Sequence, residues 1–393
     1  MKNKYLAGIG ANVFLLGLVS FFNDLSSEMI MPILPIFITA LGGTGLVVGL
    51  VGGVRDSISS ILQVICGHWS DKIGKRKIFV TAGYFNSAVF KLFLAFSKTW
   101  QHILVFSGLE RIGKGMRTAP RDAIIADSMP KEKGKGFGIH RTLDTSGAIL
   151  GSFLVFILFR FLYFDFKSII IIAALIAFIS LIPLYFVREK KRKSKEISVK
   201  IDIRKLPFSL RLFILISGLF ALANFSYMFF ILKVQQSFTG KTSVALPILL
   251  YILFNVFYAL FAVPFGILSD RIGRKRVLIF GYFLFSLTSL GFVFYNSILA
   301  FVGLFVLYGI MYAIIDGNQR AYVSDLSTEK LRATALGTFH TVIGLMALPS
   351  SLIAGLLWQI DSKFTFVYGF LLGLVSVALF LGFGSIIEDR KAL

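Results

Sequence analysis

A short polar motif occurs twice in this chain, 199 residues apart, and each copy lies between two long apolar stretches. Residues 67–77 read GHWSDKIGKRK, and residues 266–276 read GILSDRIGRKR. We call these two stretches the hinge motifs. Two copies of one pattern in the same setting indicate that the chain consists of two related halves. Any fold for this chain must therefore repeat, with an equivalent turn in each half.

The apolar stretches are too long and too numerous for a soluble domain. Hydrophobic residues make up 56% of the chain and charged residues 16%, whereas about a quarter of a soluble domain is charged. A helix needs about 20 mostly apolar residues to cross a hydrocarbon core roughly 30 Å thick. Twelve segments qualify, at residues 10–41, 45–69, 77–97, 101–127, 135–161, 167–187, 208–235, 242–268, 276–295, 297–325, 332–358 and 363–386.

The fold class predicted from these segments is an all-α membrane protein with twelve transmembrane helices. Further repeated residues support the division into halves, because residues 121–127 resemble residues 320–325 and residues 136–138 resemble residues 335–337. We expect two parallel six-helix repeats related by an axis along the membrane normal. The predicted bundles are residues 1–187 and 208–393, separated by a basic linker at 188–207.

Basic residues decide the predicted orientation. The net charge of +21 would suggest nucleic acid as a partner of a soluble chain, but here Lys and Arg concentrate in alternate loops. Positive loops stay inside, which predicts a multi-pass protein of the cytoplasmic (inner) membrane with both termini cytoplasmic. The run at 188–205 is interpreted as a solvated linker, with binding of anionic lipid as the alternative. We expect no nucleic-acid partner.

The hinge motif resembles the signature G-x-L-A-D-R-x-G-R-[KR] of the major facilitator superfamily, found between helices 2 and 3 and, more weakly, between helices 8 and 9. The resemblance covers essentially the whole chain and implies alternating access. It also implies that Asp71 faces the start of segment 11 and that Asp270 faces the start of segment 5, closing the cytoplasmic side. The expected gating residues are Gly67, Asp71, Gly74, Lys75, Arg76, Gly266, Asp270, Gly273, Arg274 and Lys275.

Ionisable residues inside membrane segments are costly, at least roughly 2.5–3.5 kcal/mol each, so each is a candidate functional residue. Asp24 and Glu28 are four residues apart in segment 1, on one helix face, and are followed by Pro32 and Pro35, which are expected to loosen the helix. Two carboxylates that are close and removed from water can hold one proton near neutral pH. We expect the pair to serve proton coupling; the alternative is a structural pair neutralised by basic neighbours.

Segment 4 carries a dense set of charges from Glu110 to Asp122. Arg111 and Gly115 resemble the R-x-x-x-G of the superfamily's helix 4 motif, whose Arg is associated with proton coupling. Lys114, Arg117 and Arg121 extend a basic face. This face either receives an anionic substrate or balances the acids of segments 1, 2 and 5.

Two further segments of the first half carry unusual residues. Lys91 in segment 3 either extends outward to the interface or interacts with the acids of segments 1 and 2. In segment 5, Gly147-x-x-x-Gly151 predicts tight helix packing and matches the position of a motif of the family's drug-proton antiporters, with alanine where those have proline. Arg141 and Asp144 are expected to form an ion pair.

The second half is more apolar, and its buried polar groups with the abundant Phe predict an amphipathic cavity wall. Any single Phe is interpreted as lipid-facing. The residues expected to line a substrate cavity in both halves are Arg55, Asp56, Glu110, Arg117, Asp144, Asn224, Tyr227, Asn255, Asp316, Arg320 and His340.

Taken together, the sequence predicts a secondary active transporter that uses the proton gradient to export an amphipathic compound. It most resembles the twelve-helix drug-proton antiporter branch. Proton-coupled transport of an organic anion or a metal chelate is the alternative, and a channel or membrane enzyme is a remote one. We expect a small-molecule substrate, action as a monomer in the lipid bilayer, no catalytic residues, no cofactor and no metal site; no nucleotide-binding loop occurs.

Overall fold

The computed structural model describes residues 10–130, 132–189, 206–328 and 331–383, without the side chains of residues 133 and 333. Most of the predicted linker therefore lies outside the described residues. Every regular element within those ranges is a helix. The helices are α1 Ala11–Ile30, α2 Leu34–Ala40, α3 Gly45–Ile73, α4 Arg76–Leu94, α5 Trp100–Ser128, α6 Lys133–Arg160, α7 Phe166–Ile179, α8 Leu181–Tyr185, α9 Phe208–Ala223, α10 Met228–Ser237, α11 Thr242–Ile272, α12 Arg274–Phe294, α13 Ile298–Asp325, α14 Arg332–Ile360 and α15 Ser362–Gly382.

These helices confirm the twelve predicted segments, three of which are interrupted. The first breaks between α1 and α2 at Pro32, because proline cannot donate the helical hydrogen bond. The sixth breaks at Ser180 and the seventh between Ala223 and Met228, neither of which was predicted. Ten of the described segments are long and apolar enough to cross a membrane; α4 and α5 are more polar and are not among them.

The described residues form two compact units. Unit 1 comprises residues 10–33, 61–130 and 132–189, and unit 2 comprises residues 34–60, 206–328 and 331–383. Residues 34–60, which the sequence assigned to the first bundle, thus group with unit 2. The predicted boundary between the two sequence repeats, at 188–207, stays a prediction.

The same packing scheme recurs in both units. In unit 1, α1 packs on α6 and α7, and α4 packs on α5 and α7. The equivalent helices of unit 2 pair in the same way: α9 packs on α14 and α15, and α12 packs on α13 and α15. Segments 1, 3, 4, 5 and 6 therefore share these four pairings with segments 7, 9, 10, 11 and 12, while the extensive packing of α11 on α13 belongs to unit 2. The duplication seen in the sequence is a duplication of structure.

Small residues allow α1 and α6 to approach closely in unit 1. A Cβ atom added at Gly147 would meet the backbone carbonyl of Phe21, and one added at Gly151 would meet that of Leu25. Neither backbone atom can move away as a side chain could. The tight packing predicted from Gly147-x-x-x-Gly151 is confirmed, and it brings the polar faces of the two helices together.

Aromatic side chains fill the interior of unit 2. Phe213, Phe220, Phe230 and Phe292 are fully buried, and the ring of Phe220 stacks on Tyr282 with centroids 3.8 Å apart. The interpretation of single phenylalanines as lipid-facing is wrong for this set. Aromatic rings bury large areas and interlock edge to face, which makes them core residues in a bundle as well as lipid-facing ones.

The loop before α7 shows a side-chain cap. The hydroxyl and the backbone N–H of Ser168 donate to the Asp165 carboxylate, and these hydrogen bonds hold the pKa of Asp165 below its usual range. An acceptor at this position satisfies a free N–H of the first helical turn. Asp165 therefore begins α7 and takes no part in the buried polar groups of unit 1.

We predict that Gly147→Ala and Gly151→Ala lower the melting temperature of the purified protein, measured by thermal unfolding in detergent. Alanine gains up to about 1 kcal/mol of helix propensity over glycine, but overpacking against backbone costs about 1–3 kcal/mol. Gly138→Ala on the same helix is the matched control, because no atom lies within 4 Å of its added Cβ. Equal melting temperatures for all three variants would contradict the packing.

Candidate functional site

Two carboxyl groups from different helices meet inside unit 1. Asp24 on α1 and Asp144 on α6 lie within hydrogen-bonding reach of each other. The Asn23 amide donates to Asp24 Oδ1 at 3.1 Å. Ionised carboxylates only accept hydrogen bonds, so a bond between two carboxyl groups needs one proton. We call Asp24 and Asp144 the carboxyl pair.

The carboxyl pair differs from the one expected from sequence. Spacing alone paired Asp24 with Glu28 on the same helix, whereas the tertiary structure adds a partner from α6. The predicted ion pair between Arg141 and Asp144 is confirmed, with Arg141 Nη1 and Asp144 Oδ2 3.4 Å apart. Asp144 thus contacts both an acid and a base.

Cations from α5 lie next to the carboxyl pair. Lys114, Arg117 and Arg121 all interact electrostatically with Asp24. Their spacings of three and four place them on one face of α5. Arg117 is buried and donates to Ser87 Oγ at 2.6 Å. The basic face predicted from the sequence therefore balances acids of segments 1 and 5.

A chain of hydrogen-bonding side chains continues from these cations. Arg121 Nη1 donates to Ser20 Oγ at 3.2 Å. Ser20 Oγ is 2.8 Å from Nε2 of His140 and 3.1 Å from the Tyr84 hydroxyl. The Arg117 guanidinium lies 4.5 Å from the centroid of the Tyr84 ring. Sequence reasoning did not select Ser20 or Tyr84, although Ser20 lies four residues before Asp24 on the same helix face.

Glu110 and Arg111 form a second acid and base contact within α5. Arg111 Nε is 3.3 Å from Glu110 Oε2, and both side chains are buried. Arg111 Nη2 also lies 3.2 Å from the sulfur of Met31, next to the break after α1. The coupling arginine expected from the family motif thus sits beside an acid of its own helix.

Lys91 is buried in unit 1, with 2% of its surface exposed. Its Nζ donates to Ser27 Oγ at 2.8 Å and to Ser26 Oγ at 3.0 Å, both on α1. The interpretation that Lys91 extends outward is wrong. Its ammonium group interacts electrostatically with the carboxylates of Asp24 and Glu110, so Lys91 is a further cation of the polar interior of unit 1.

The predicted cavity residues of the second half fall on several helices of unit 2. Asp316 on α13 forms an ion pair with Arg320 at 2.6 Å and accepts a hydrogen bond from Tyr258 at 2.9 Å. His340 on α14 interacts electrostatically with both Asp316 and Arg320. Asn255 lies on α11, one turn before Tyr258.

The remaining cavity residues of unit 2 lie on either side of an interrupted segment and on α3. Asn224 and Tyr227 lie in the break between α9 and α10. Arg55 is buried on α3, and its neighbour Asp56 is exposed.

The first hinge motif folds around one arginine. Arg76 donates to Asp71 at 2.5 Å and to Asp127 on α5 at 2.6 Å. The Glu189 carboxylate accepts from the backbone N–H groups of Arg76 and Lys77 at 2.6 and 3.0 Å. A single guanidinium therefore ties α3, α4 and α5 together at one end of unit 1.

The second hinge motif repeats this arrangement in unit 2. Arg274 bridges Asp270 at 2.8 Å and Asp325 at 2.6 Å. Gly74 and Gly273 have φ angles of 71° and 97°, a region that favours glycine and explains their place in the motif. The predicted latches from Asp71 and Asp270 to the opposite half stay predictions.

The first glycine of one hinge motif has different surroundings from the first glycine of the other. A Cβ at Gly67 would approach Ala119 of α5, whereas one at Gly266 would meet no atom within 4 Å. The basic residues that follow also differ, because Lys75 is exposed and Lys275 is half-buried. The two hinge motifs are therefore more alike in their arginine bridges than in the surroundings of their first glycine and of the lysine that follows.

Comparison with known proteins agrees with this architecture. A family profile described as Major Facilitator Superfamily matches residues 16–254 and 213–391. An uncharacterized MFS-type transporter of Methanocaldococcus jannaschii is 56% identical over 377 residues, covering 95% of each chain. A multidrug resistance protein, MdtG, of Rahnella sp. is 28% identical over 187 residues, covering 46% of this chain and 44% of that protein.

Solved structures show the same fold. The crystal structure of the nucleoside transporter NupG superposes with a TM-score of 0.78 at 14% identity, covering 96% of this chain and 99% of that one. Together with the match over both halves, the twelve helical segments and the duplicated hinge motif, these similarities lead to one assignment. The chain belongs to the Major Facilitator Superfamily of membrane transporters.

Proposed function

We propose that this chain is a proton-coupled exporter of amphipathic compounds in the cytoplasmic membrane. It works as a monomer by alternating access, with both termini on the cytoplasmic side, and takes its energy from the proton gradient without a bound cofactor. The observation that carries the proposal is the contact between Asp24 and Asp144 on two helices of unit 1. This pair is the coupling site.

The protonation state of the carboxyl pair changes the charge balance of unit 1. With one shared proton, the pair carries a single negative charge next to Lys114, Arg117 and Arg121. Loss of that proton places two negative charges side by side, which repel each other and attract the cations of α5 more strongly. Because Asp24 and Asp144 lie on different helices, the proton affects how closely α1 and α6 can pack at this level.

Alternating access requires that the proton bind one conformation more tightly than the other. A ligand shifts an equilibrium only as far as it binds one state better than the other. A proton that binds better when the two carboxyl groups touch favours that arrangement, and a substrate that favours their separation releases it. Exchange of a proton for a substrate molecule across the membrane is antiport. Glu28, on the same helix as Asp24, and Arg111, beside Glu110, are the further residues we assign to this coupling.

The direction of transport and the kind of substrate rest on two lines of support. Unit 2 presents an aromatic interior with few polar groups, which suits an amphipathic compound. MdtG of Rahnella sp., which matches almost half of the chain, is named a multidrug resistance protein. Transport of an organic anion is less well supported, because Arg117 and Arg121 already have hydroxyl and carboxylate neighbours.

The first prediction concerns the carboxyl pair. Asp24→Asn and Asp144→Asn abolish accumulation of ethidium driven by a pH gradient in proteoliposomes, since an amide cannot bind or release the proton. Exchange of ethidium without a gradient stays partly intact, because the substrate path is not blocked.

Asp165→Asn is the matched control for this experiment. It makes the same change at an exposed cap before α7, and asparagine is an equally good cap. Accumulation should equal that of the native protein. Undiminished gradient-driven accumulation in both pair variants and in the double variant would contradict the coupling role.

The second prediction concerns the hinge motifs. Asp71→Asn and Asp270→Asn weaken the arginine bridges and the proposed latches, and so favour inward-open conformations. A carboxylate at a helix N-terminus contributes up to about 1 kcal/mol, or roughly fivefold in such an equilibrium. Hydrogen–deuterium exchange at residues 64–77 and 263–276 should become faster. Unchanged exchange at both stretches would argue against the latch, and Asp165→Asn again serves as the control.

A further inference from the structure

Six aromatic residues of unit 2 form a continuous cluster across α11, α13 and the break before α10, and we call them the aromatic cluster. Phe254 lies at its centre, with ring centroids 5.0 Å from Tyr308 and 5.4 Å from Tyr312. Between ring centroids, Tyr251 and Tyr258 lie 5.7 and 6.2 Å from Phe254, and Tyr227 lies 5.7 Å from Tyr251. The cluster consists of Tyr227, Tyr251, Phe254, Tyr258, Tyr308 and Tyr312.

Five of the six members are tyrosines, which distinguishes the cluster from the phenylalanine core described above. A core position gains nothing from a hydroxyl group that must find a partner. The side chains of Tyr308 and Asn224 both hydrogen-bond to Tyr312. Polar groups gathered at one place of a largely aromatic wall can orient a ligand.

Helix α3 places a carboxylate beside this cluster. Gly49, Gly53 and Ser57 recur every four residues and face α14, where Ser57 donates to the Gly344 carbonyl at 2.5 Å. Gly52 lies on the neighbouring face against Ser226, in the break between α9 and α10. Asp56 is one turn beyond Gly52 on that face. It acts electrostatically on the hydroxyls of both Tyr308 and Tyr312.

Asp56 differs from the other carboxylate near the cluster. Asp316 is held by Arg320 and Tyr258. Asp56 is exposed, and within the described part of the chain no basic side chain forms an ion pair with it. A carboxylate inside a membrane segment without a cation of its own is costly. A bound cation would remove that cost.

We propose that Asp56 and the aromatic cluster form a binding site for organic cations. Tyrosine faces attract positive charge through the ring quadrupole, the carboxylate of Asp56 supplies the opposite charge, and the rings cover the apolar part of the ligand. An anion would meet the carboxylate and a negative ring face. This inference rests on the proposed function, because it names the substrate class of that transporter.

The test uses two ions of the same shape and opposite charge, tetraphenylphosphonium and tetraphenylborate. Binding to the purified protein is measured by equilibrium dialysis in detergent at neutral pH, without any gradient. The native protein should bind tetraphenylphosphonium and should bind tetraphenylborate at least about tenfold more weakly. Equal affinity for the two ions would overturn the proposal, since apolar contact alone would then explain binding.

Variants locate the site. Asp56→Asn should weaken tetraphenylphosphonium binding at least about tenfold, and Asp56→Glu should restore most of it. Asp361→Asn, at an exposed helix cap of the same unit, should bind as the native protein does. Unchanged binding by Asp56→Asn, or an equal loss in Asp361→Asn, would overturn the proposal; size-exclusion profiles and melting temperatures check that each variant is folded.

The cation-site proposal and the proton-coupling proposal can be rejected independently of each other. Asp24→Asn and Asp144→Asn alter proton coupling in unit 1, so they should remove the pH dependence of tetraphenylphosphonium binding, whereas Asp56→Asn should weaken binding at every pH. Normal binding with proton-independent transport would reject the coupling proposal and keep the cation site. Coupled transport of ethidium together with unaltered binding in Asp56→Asn would reject the cation site and keep the coupling.

Discussion

A charged group inside a bilayer is tolerated only if another charge, a hydroxyl or a proton compensates it, and this requirement governs unit 1. Its interior holds the carboxyl pair of Asp24 and Asp144 together with several cations of α5. Each helix can keep its charges only while the neighbouring helix supplies the partners. Close packing of α1 on α6, made possible by Gly147 and Gly151, is therefore a condition for the polar site as well as for the fold. In the proposed mechanism, a change in the protonation of the pair acts directly on this packing.

The two units repeat one architecture but fill it with different chemistry. Unit 1 carries most of the buried ionisable groups, whereas unit 2 is packed with aromatic rings and carries the exposed Asp56 beside tyrosines. The hinge motifs are the part that both units share in detail, since Arg76 and Arg274 each bridge two carboxylates. In the proposed mechanism, this repeated scaffold with different interiors lets one unit respond to protons and the other contact an apolar ligand.

Sequence reasoning predicted the fold better than it predicted the site. Segment lengths and the break near Pro32 follow from local rules, because membrane thickness and proline chemistry act on neighbouring residues. The break after Ala223 escaped prediction, since no proline or glycine marks it. The carboxyl pair was also missed, because helix spacing relates Asp24 only to residues such as Glu28 on its own helix. Contacts between α1 and α6 depend on the rotation of both helices, which one sequence does not specify.

Segment lengths and the repeated motif were enough to predict that this chain spans a membrane with twelve helical segments, that it is duplicated and that its hinge motifs resemble those of the major facilitator superfamily. Hydrophobic length and repeated letters suffice for these conclusions, because the bilayer imposes the same local requirement on every segment. Which charged groups contact each other became clear from the packing of the helices. This packing joined Asp24 to Asp144, held Lys91 against the serines of α1 and set Asp56 beside the tyrosines of α13. Those contacts arise between residues distant in sequence, where packing geometry rather than spacing selects the partner.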